Sequence, residues 1–335
     1  LRELLEKGAT LFLMSHLGRP KGQVQEDARL APVAARLSEL LGQEVRYEPT
    51  DGPADRSQQA FLESAEPGSV TLLENTRFDA GETKNDPGLA QALASYADAY
   101  VNDAFGAAHR AHASTEGVAR LLPSAAGRLM ERELEVLERL RSDPEAPFAV
   151  IVGGAKVSDK IGVLRELIGR ADTIIVGGAM AYTFYAARGG KVGRSLVEED
   201  RFDLARELEE SARARGVKLL LPVDSVCAAK IESGVGTEVH RSDAIPDELM
   251  GLDAGPEAIG EFKAALQGSR TVFWNGPLGV FETAPFDNGT MAIARAVADL
   301  DAFTVVGGGD SVAALNASGV QERIDHVSTG GGASL

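Results

Sequence analysis

Two lysines, Lys156 and Lys160, stand four residues apart directly after a glycine pair in FAVIVGGAKVSDK (148–160). If that stretch opens a helix, the spacing puts both ammonium groups on one face near the positive end of the helix dipole, where polyphosphate oxygens are attracted. Two solvated lysines with Asp159 between them would show the same spacing, and on spacing alone both readings stay open. Asp310 follows three glycines in VGGGDS and belongs at the N-cap or in the first turn of a helix. It can serve as a cap, or as a carboxylate for the Mg²⁺ that accompanies ADP or ATP, an ion that takes one or two carboxylates plus phosphate oxygens. The adjoining glycines favour the metal. Glu282, closing FWNGPLGVFE, is either a surface acid or an acceptor for ribose hydroxyls, and its Phe and Val neighbours point to partial burial.

A second set of residues is cationic. His16 and Arg19 lie in SHLGRPKG, Arg77 in LLENTRF and Arg110 in VNDAFGAAHRAHAS, each just after an apolar run. Arginines at corresponding ends of neighbouring parallel strands converge on one side of the sheet, where guanidinium forks suit carboxylate and phosphate. The implied ligand is a small polyanion. His109 and His112 with Asp103 match no closed zinc spacing, so packing or substrate contact is expected of them. The lone cysteine, Cys227 in LPVDSVCAA, reads as a small core residue.

These residues must be positioned by strands. Four apolar runs end in glycine clusters: FAVIVGG, TIIVGGAM, TVFWNGPLG and FTVVGGGDS. Continuous Val- and Ile-rich runs of this kind predict strands covered on both faces, hence a parallel sheet with its ligand beyond the carboxyl ends. Glycines there would let a phosphate approach the backbone and the following helix N-terminus. Neither G-x-x-x-x-G-K-[ST] nor G-x-G-x-x-G is satisfied, so the generic nucleotide fingerprints fail. An earlier block has strand candidates at 10–14, 44–47, 70–74 and 98–102, alternating with helical patterns. Between the blocks, GRLMERELEVLERLRSD (127–143) predicts one amphipathic helix with Leu129, Leu134, Val136, Leu137 and Leu140 as its apolar stripe, ended by DPEAP. The second block adds GVKLLLPVD (216–224), and roughly 231–256 reads as irregular.

With 335 residues, 44% hydrophobic and 25% charged, the chain can bury two cores. A formal charge of −16 argues against nucleic acid as a partner, since binding to a phosphate backbone needs a basic face. One cysteine permits no intrachain disulfide, which points to the reducing cytosol, and no apolar run reaches the length of a membrane span.

SHLGRPKG, LLENTRF, YVNDAFGAAHRAHAS, GGAKVSDKIGVL, FWNGPLGVFE, VGGGDS and HVSTGGGAS, in this order and over essentially the whole chain, resemble the phosphoglycerate kinase family. The resemblance implies an α/β fold of two doubly wound, parallel-sheet (Rossmann-like) domains joined by a long linker helix. The expected limits are 1–126 for phosphoglycerate binding, 127–142 for the linker and 143–335 for nucleotide binding, with 326–335 at the interdomain hinge. It implies reversible phosphoryl transfer between 1,3-bisphosphoglycerate and MgADP, giving 3-phosphoglycerate and ATP, in the cytoplasm and by a monomer. His16, Arg19, Arg77 and Arg110 would hold the phosphoglycerate. Gly153, Gly154, Lys160, Gly177, Gly178, Gly251, Asn275, Pro277, Glu282, Gly307, Gly308, Gly309 and Ser311 would form the nucleotide site. Asp310 would hold Mg²⁺, Glu282 the ribose, and Lys156, Gly331 and Gly332, with Gly330 beside them, would meet the phosphoryl group in flight. Since the two ligand sets lie on different blocks, transfer should require closure, with bending in the linker helix and the HVSTGGGAS segment.

The family's opening strand, with its aspartate, asparagine and arginine, has no counterpart before Leu1, and the tail after GGGAS is absent; both ends read as cut. A non-catalytic nucleotide-binding fragment is therefore one alternative. A nicotinamide-dependent oxidoreductase is the other, disfavoured by the missing fingerprint.

Overall fold

A computed structural model describes residues 1–330 and 333. The chain divides into two units, Leu1–Glu131 and Arg132–Leu335. The division falls inside the helix Arg128–Ser142, which the sequence reading set apart as a separate linker.

In the first unit, the strands Leu11–Leu13, Val70–Leu72 and Val45–Arg46 form a parallel sheet in that order, and Tyr100–Asn102 pairs in parallel with Ser124–Ala126. Val70 and Leu72 are buried on the central strand, and Leu11, Leu30, Ala34 and Val45 close one core around them. A second core gathers Leu62, Leu73, Leu89, Leu93 and Val118. The helix Ala31–Leu41 opens with Pro32 in its first turn and stops at Gly42, which takes the left-handed conformation that a C-terminal glycine allows.

The second unit is built on six parallel strands in the order His326–Val327, Phe303–Gly307, Thr271–Asn275, Phe148–Val152, Thr173–Val176, Lys218–Leu220. Successive side chains of a strand point to opposite faces. Phe148, Val150, Val152, Ile174 and Val176 accordingly enter one core with Leu164, Phe184 and Leu208. Ala149, Ile151, Ile175, Val272 and Trp274 enter another with Phe262, Ile293 and Leu315. Two apolar faces, each covered by helices, make this sheet doubly wound.

From Phe148–Val152 the chain winds outward through 173–176 to 218–220, then returns to the other side at 271–275 and winds away through 303–307 to 326–327. The strand order thus reverses between Phe148–Val152 and Thr271–Asn275.

Two expectations need correction here. The stretch 231–256 is not irregular: Glu238–Arg241 and Met250–Ala254 flank Asp224–Ala228 in an antiparallel sheet, and Ala244–Ile245 pairs with Lys191–Val192. These strands are short, and Glu238, His240, Gly251 and Asp253 interrupt them, so no apolar run announces them. The apolar stripe of the long helix is also narrower than predicted. Val136 and Leu140 are buried, whereas Leu129 and Leu134 are exposed and Glu133 is buried in their place.

Candidate functional site

The crevice at the reversal of strand order is where an open α/β sheet binds its ligand. Gly153 and Gly154 leave one of its two central strands, and Gly276 and Pro277 leave the other. What fills the base of this crevice is backbone. The Gly153 amide donates to the Asn275 carbonyl at 2.9 Å, and a β-carbon on Gly153 would stand 2.0 Å from the Pro277 carbonyl oxygen. Gly177 abuts the Leu278 side chain, and Gly178, at φ +69°, abuts Gly154. Their first role is therefore loop-on-loop packing, where a phosphate cradle was expected. Gly309 has open space at its β position, and Gly154, at φ +133°, has only the Lys160 chain near it.

The two lysines are not on one helical face. The helix runs Ile161–Ile168, with Lys160 at its N-cap and Lys156 in the turn before it. Lys160 Nζ donates to Asn275 Oδ1, while the Asn275 amide nitrogen donates to the Gly307 carbonyl at 2.9 Å. Burial lowers the pKa of Lys160, opposed by the charges of Asp159 and Asp310, which places Asp310 within electrostatic reach of the ammonium. Lys156 is exposed.

Asp310 occupies the first turn of the helix Gly309–Ser318, whose N-cap is Gly308 at φ +97°, and among the described residues no backbone amide uses its carboxylate. Cap duty is thereby taken from it. Ser311 is buried and its Oγ accepts from the Gly276 amide at 2.5 Å, tying this helix start to the crevice. No group of three or more His, Cys, Asp and Glu able to hold a metal occurs among the described residues. One exposed carboxylate fits an ion that arrives already held by nucleotide phosphates, and does not fit a resident metal.

Glu282 is exposed, contrary to the expected partial burial, because Phe281 is only half-buried in a run of turns. Gly251 lies inside the strand Met250–Ala254, where its amide donates to Ser195 Oγ at 2.9 Å and a β-carbon would meet the Tyr182 hydroxyl at 2.1 Å. Gly331 and Gly332 lie outside the described residues. The segment leading to them is held by Glu133: the Thr329 amide and hydroxyl donate to its Oε1 at 2.7 and 2.8 Å, and His326 Nε2 lies 2.8 Å from Oε2. Burial would raise the Glu133 carboxyl, but His326, Thr329 and Ser328 together hold it below the ordinary range. Glu133 stands among several charges in RLMERELEVLERLRS, and its spacing gives no signal of this role.

In the first unit the four cations do converge. His16 is pushed down to about 4 by desolvation and by the charges of Arg77, His112 and Arg110. Arg77 is lowered by burial and by Arg110 and Arg19, with Glu82 opposing. Arg77 donates to the Gly18 carbonyl at 2.7 Å, and its Nε is buried without a partner among the described residues. Buried Asn75 sets this geometry by donating to the carbonyls of Leu17 and Ala28 and accepting from the Arg77 amide. Glu82, also buried, takes the Ser114 amide and hydroxyl and stands 3.5 Å from His112 Nδ1. Asp103 is no metal ligand: it accepts from the Leu129 and Met130 amides and so caps the long helix. Cys227 is buried, as expected of a core residue.

Such a basin stores like-charge repulsion that an anion relieves. Because His16 is depressed on folding, its contribution to stability is present above about 6.5, the unfolded value, and is lost as pH falls toward about 4. A bound dianion reverses the sign by restoring the charged imidazole. Sulfate, which stays dianionic, is expected to bind about tenfold more tightly at pH 5.5 than at pH 7.5 if binding returns His16 to its ordinary range. In His16→Gln the dependence should flatten, and a flat profile in the unaltered chain would refute the coupling.

A family model described as phosphoglycerate kinase matches residues 1–335. A phosphoglycerate kinase of Thermus thermophilus is 57% identical over 336 residues, covering 100% of this chain and 85% of the relative. That of Moorella thermoacetica is 56% identical, covering 99% and 84%. Among solved structures, the phosphoglycerate kinase of Coxiella burnetii superposes with a TM-score of 0.86 at 38% identity, over 99% of this chain and 84% of that one. That of Pyrococcus horikoshii gives 0.83 at 33% identity, with the same coverage.

Proposed function

The chain belongs to the phosphoglycerate kinase family, and from that premise we propose how its residues divide the work of phosphoryl transfer between 1,3-bisphosphoglycerate and ADP. His16, Arg19, Arg77 and Arg110 bind the phosphoglycerate, as the lowering of His16 and Arg77 by burial and by their cationic neighbours supports. The nucleotide lies in the crevice at the strand reversal, with Lys160 on its phosphates, Glu282 on its ribose and Lys156 on the phosphoryl group being transferred. Gly330, Gly331 and Gly332 offer it amides. Mg²⁺, when bound with the nucleotide, neutralises phosphate charge, and Asp310 is the carboxylate that holds it. No covalent intermediate is needed, because in-line transfer depends on positioning and charge neutralisation. Transfer then requires the two units to close on their ligands, excluding water from the acyl phosphate. The single buried cysteine agrees with a reducing, cytoplasmic setting, and no helix is long and apolar enough to cross a membrane among the described residues.

The observation that carries the reading is the position of Asp310, free of cap duty at a helix start on the rim of the crevice. Asp310→Asn keeps the size and removes the charge. It should weaken MgADP binding about tenfold or more by calorimetric titration while leaving metal-free ADP nearly unchanged. The same loss with and without Mg²⁺ would remove Asp310 from the metal site.

A further inference from the structure

The turn from Ala155 to Lys160 carries both lysines, yet it precedes the helix and joins its hydrogen bonding only at Lys160, whose carbonyl accepts from the Leu164 amide at 2.9 Å. Its hold on the protein is at three other points. Val157 is wholly buried in the core, and the Lys160 amide closes back on the Val157 carbonyl at 2.9 Å. The third point is Ser158, whose amide donates to Glu198 Oε2 at 3.0 Å and whose hydroxyl donates to Oε1 at 2.5 Å. One carboxylate thus grips both donors of one residue, a two-pronged contact that fixes orientation as well as distance. Glu198 is itself held, since its amide donates at 3.1 Å to the hydroxyl of Thr183, buried in the helix Met180–Ala187 that follows Gly177 and Gly178. Burial works to raise the Glu198 carboxyl, but the Ser158 and Val157 donors and the nearby Lys156 charge outweigh it, so the group stays ionised.

We propose that Glu198, acting through Ser158, is the positioning residue of the lysine turn, holding Lys156 where it meets the phosphoryl group in transfer while adding little to nucleotide binding. The inference rests on the role given to Lys156 above. Lys160 is held separately by Asn275, so loosening the clasp should displace one lysine and spare the other. A displacement of about 1 Å at a reacting centre can cost about a hundredfold in rate.

Ser158→Ala removes the hydroxyl and keeps the carboxylate charge, and Glu198→Gln keeps the shape and removes the charge. Each is expected to lower kcat about 10- to 100-fold, with the dissociation constant of MgADP, read by calorimetry, changed no more than about twofold. The double variant should be no slower than the worse single one, since both break the same clasp. In a Lys156→Ala background, Ser158→Ala should have no further effect on kcat. Wild-type kcat in both clasp variants while Lys156→Ala is crippled would overturn this proposal and leave the site reading standing. Wild-type kcat in Lys156→Ala would instead overturn the site reading. Loss of kcat and MgADP affinity together, or a further loss in the Lys156→Ala background, would mean a general structural role and would also overturn it.

Discussion

Lys156→Ala is expected to lower kcat by about two to three orders of magnitude while changing MgADP affinity by no more than about threefold. The difference between the two lysines supports this split. Lys160 is partly buried, bound to Asn275 and within reach of Asp310, so it already has a place in the ground state. Lys156 is exposed in the turn before the helix. An interaction formed only in the transition state lowers kcat and kcat/KM together and spares ground-state binding. Lys160→Ala should show the opposite emphasis, with weaker nucleotide binding as its first effect. Steady-state kinetics beside calorimetry separate the two, and equal losses of rate and affinity in Lys156→Ala would contradict the assignment.

The second large effect is expected from a single methyl group. A β-carbon at Gly153 would lie 2.0 Å from the Pro277 carbonyl oxygen and 2.6 Å from that of Gly276, and neither backbone oxygen can swing aside as a side-chain tip could. Gly153→Ala must therefore part the two loops at the strand reversal, at a cost of about 3 kcal/mol or more. At about 2–4 °C per kcal/mol for a unit of this size, its melting transition should fall by roughly 6–12 °C, and MgADP affinity should fall at least tenfold. Gly309→Ala is the control for the melting transition, having open space at its β position and no positive φ. If Gly153→Ala melts and binds like the parent, the crevice is not built by this packing.

Much of this was legible from local pattern. The run TIIVGG specifies a buried strand because three β-branched apolar residues, Ile174, Ile175 and Val176, follow one another without a polar break after Thr173, and the observed strand is Thr173–Val176. The cations after the strands in 10–14 and 70–74 were placed by the same logic, since those two strands pair in parallel and deliver their carboxyl ends to one side, whereas the strand Tyr100–Asn102 pairs with Ser124–Ala126 in a separate sheet, so a shared sheet does not account for Arg110. The lysine pair does not share a helical face, for a physical reason. Spacing of four means a shared face only within a helix, and here Ser158 gives its hydrogen bonds to Glu198 while the chain is still turning.

The sequence by itself determined the class of fold, the two blocks, and which residue types stand at the ends of which strands, because those depend on side-chain period and on neighbours along the chain. Only the tertiary structure decided that the strand order reverses between Phe148–Val152 and Thr271–Asn275, and that the glycines there pack loop against loop. It alone showed that Glu133 holds the segment before Gly330 and Glu198 holds the lysine turn. Those partners lie 196 and 40 residues apart. A hydrogen bond over such a separation leaves no periodicity in the chain, and its existence depends on which strands become neighbours, which is settled only when the sheet is complete.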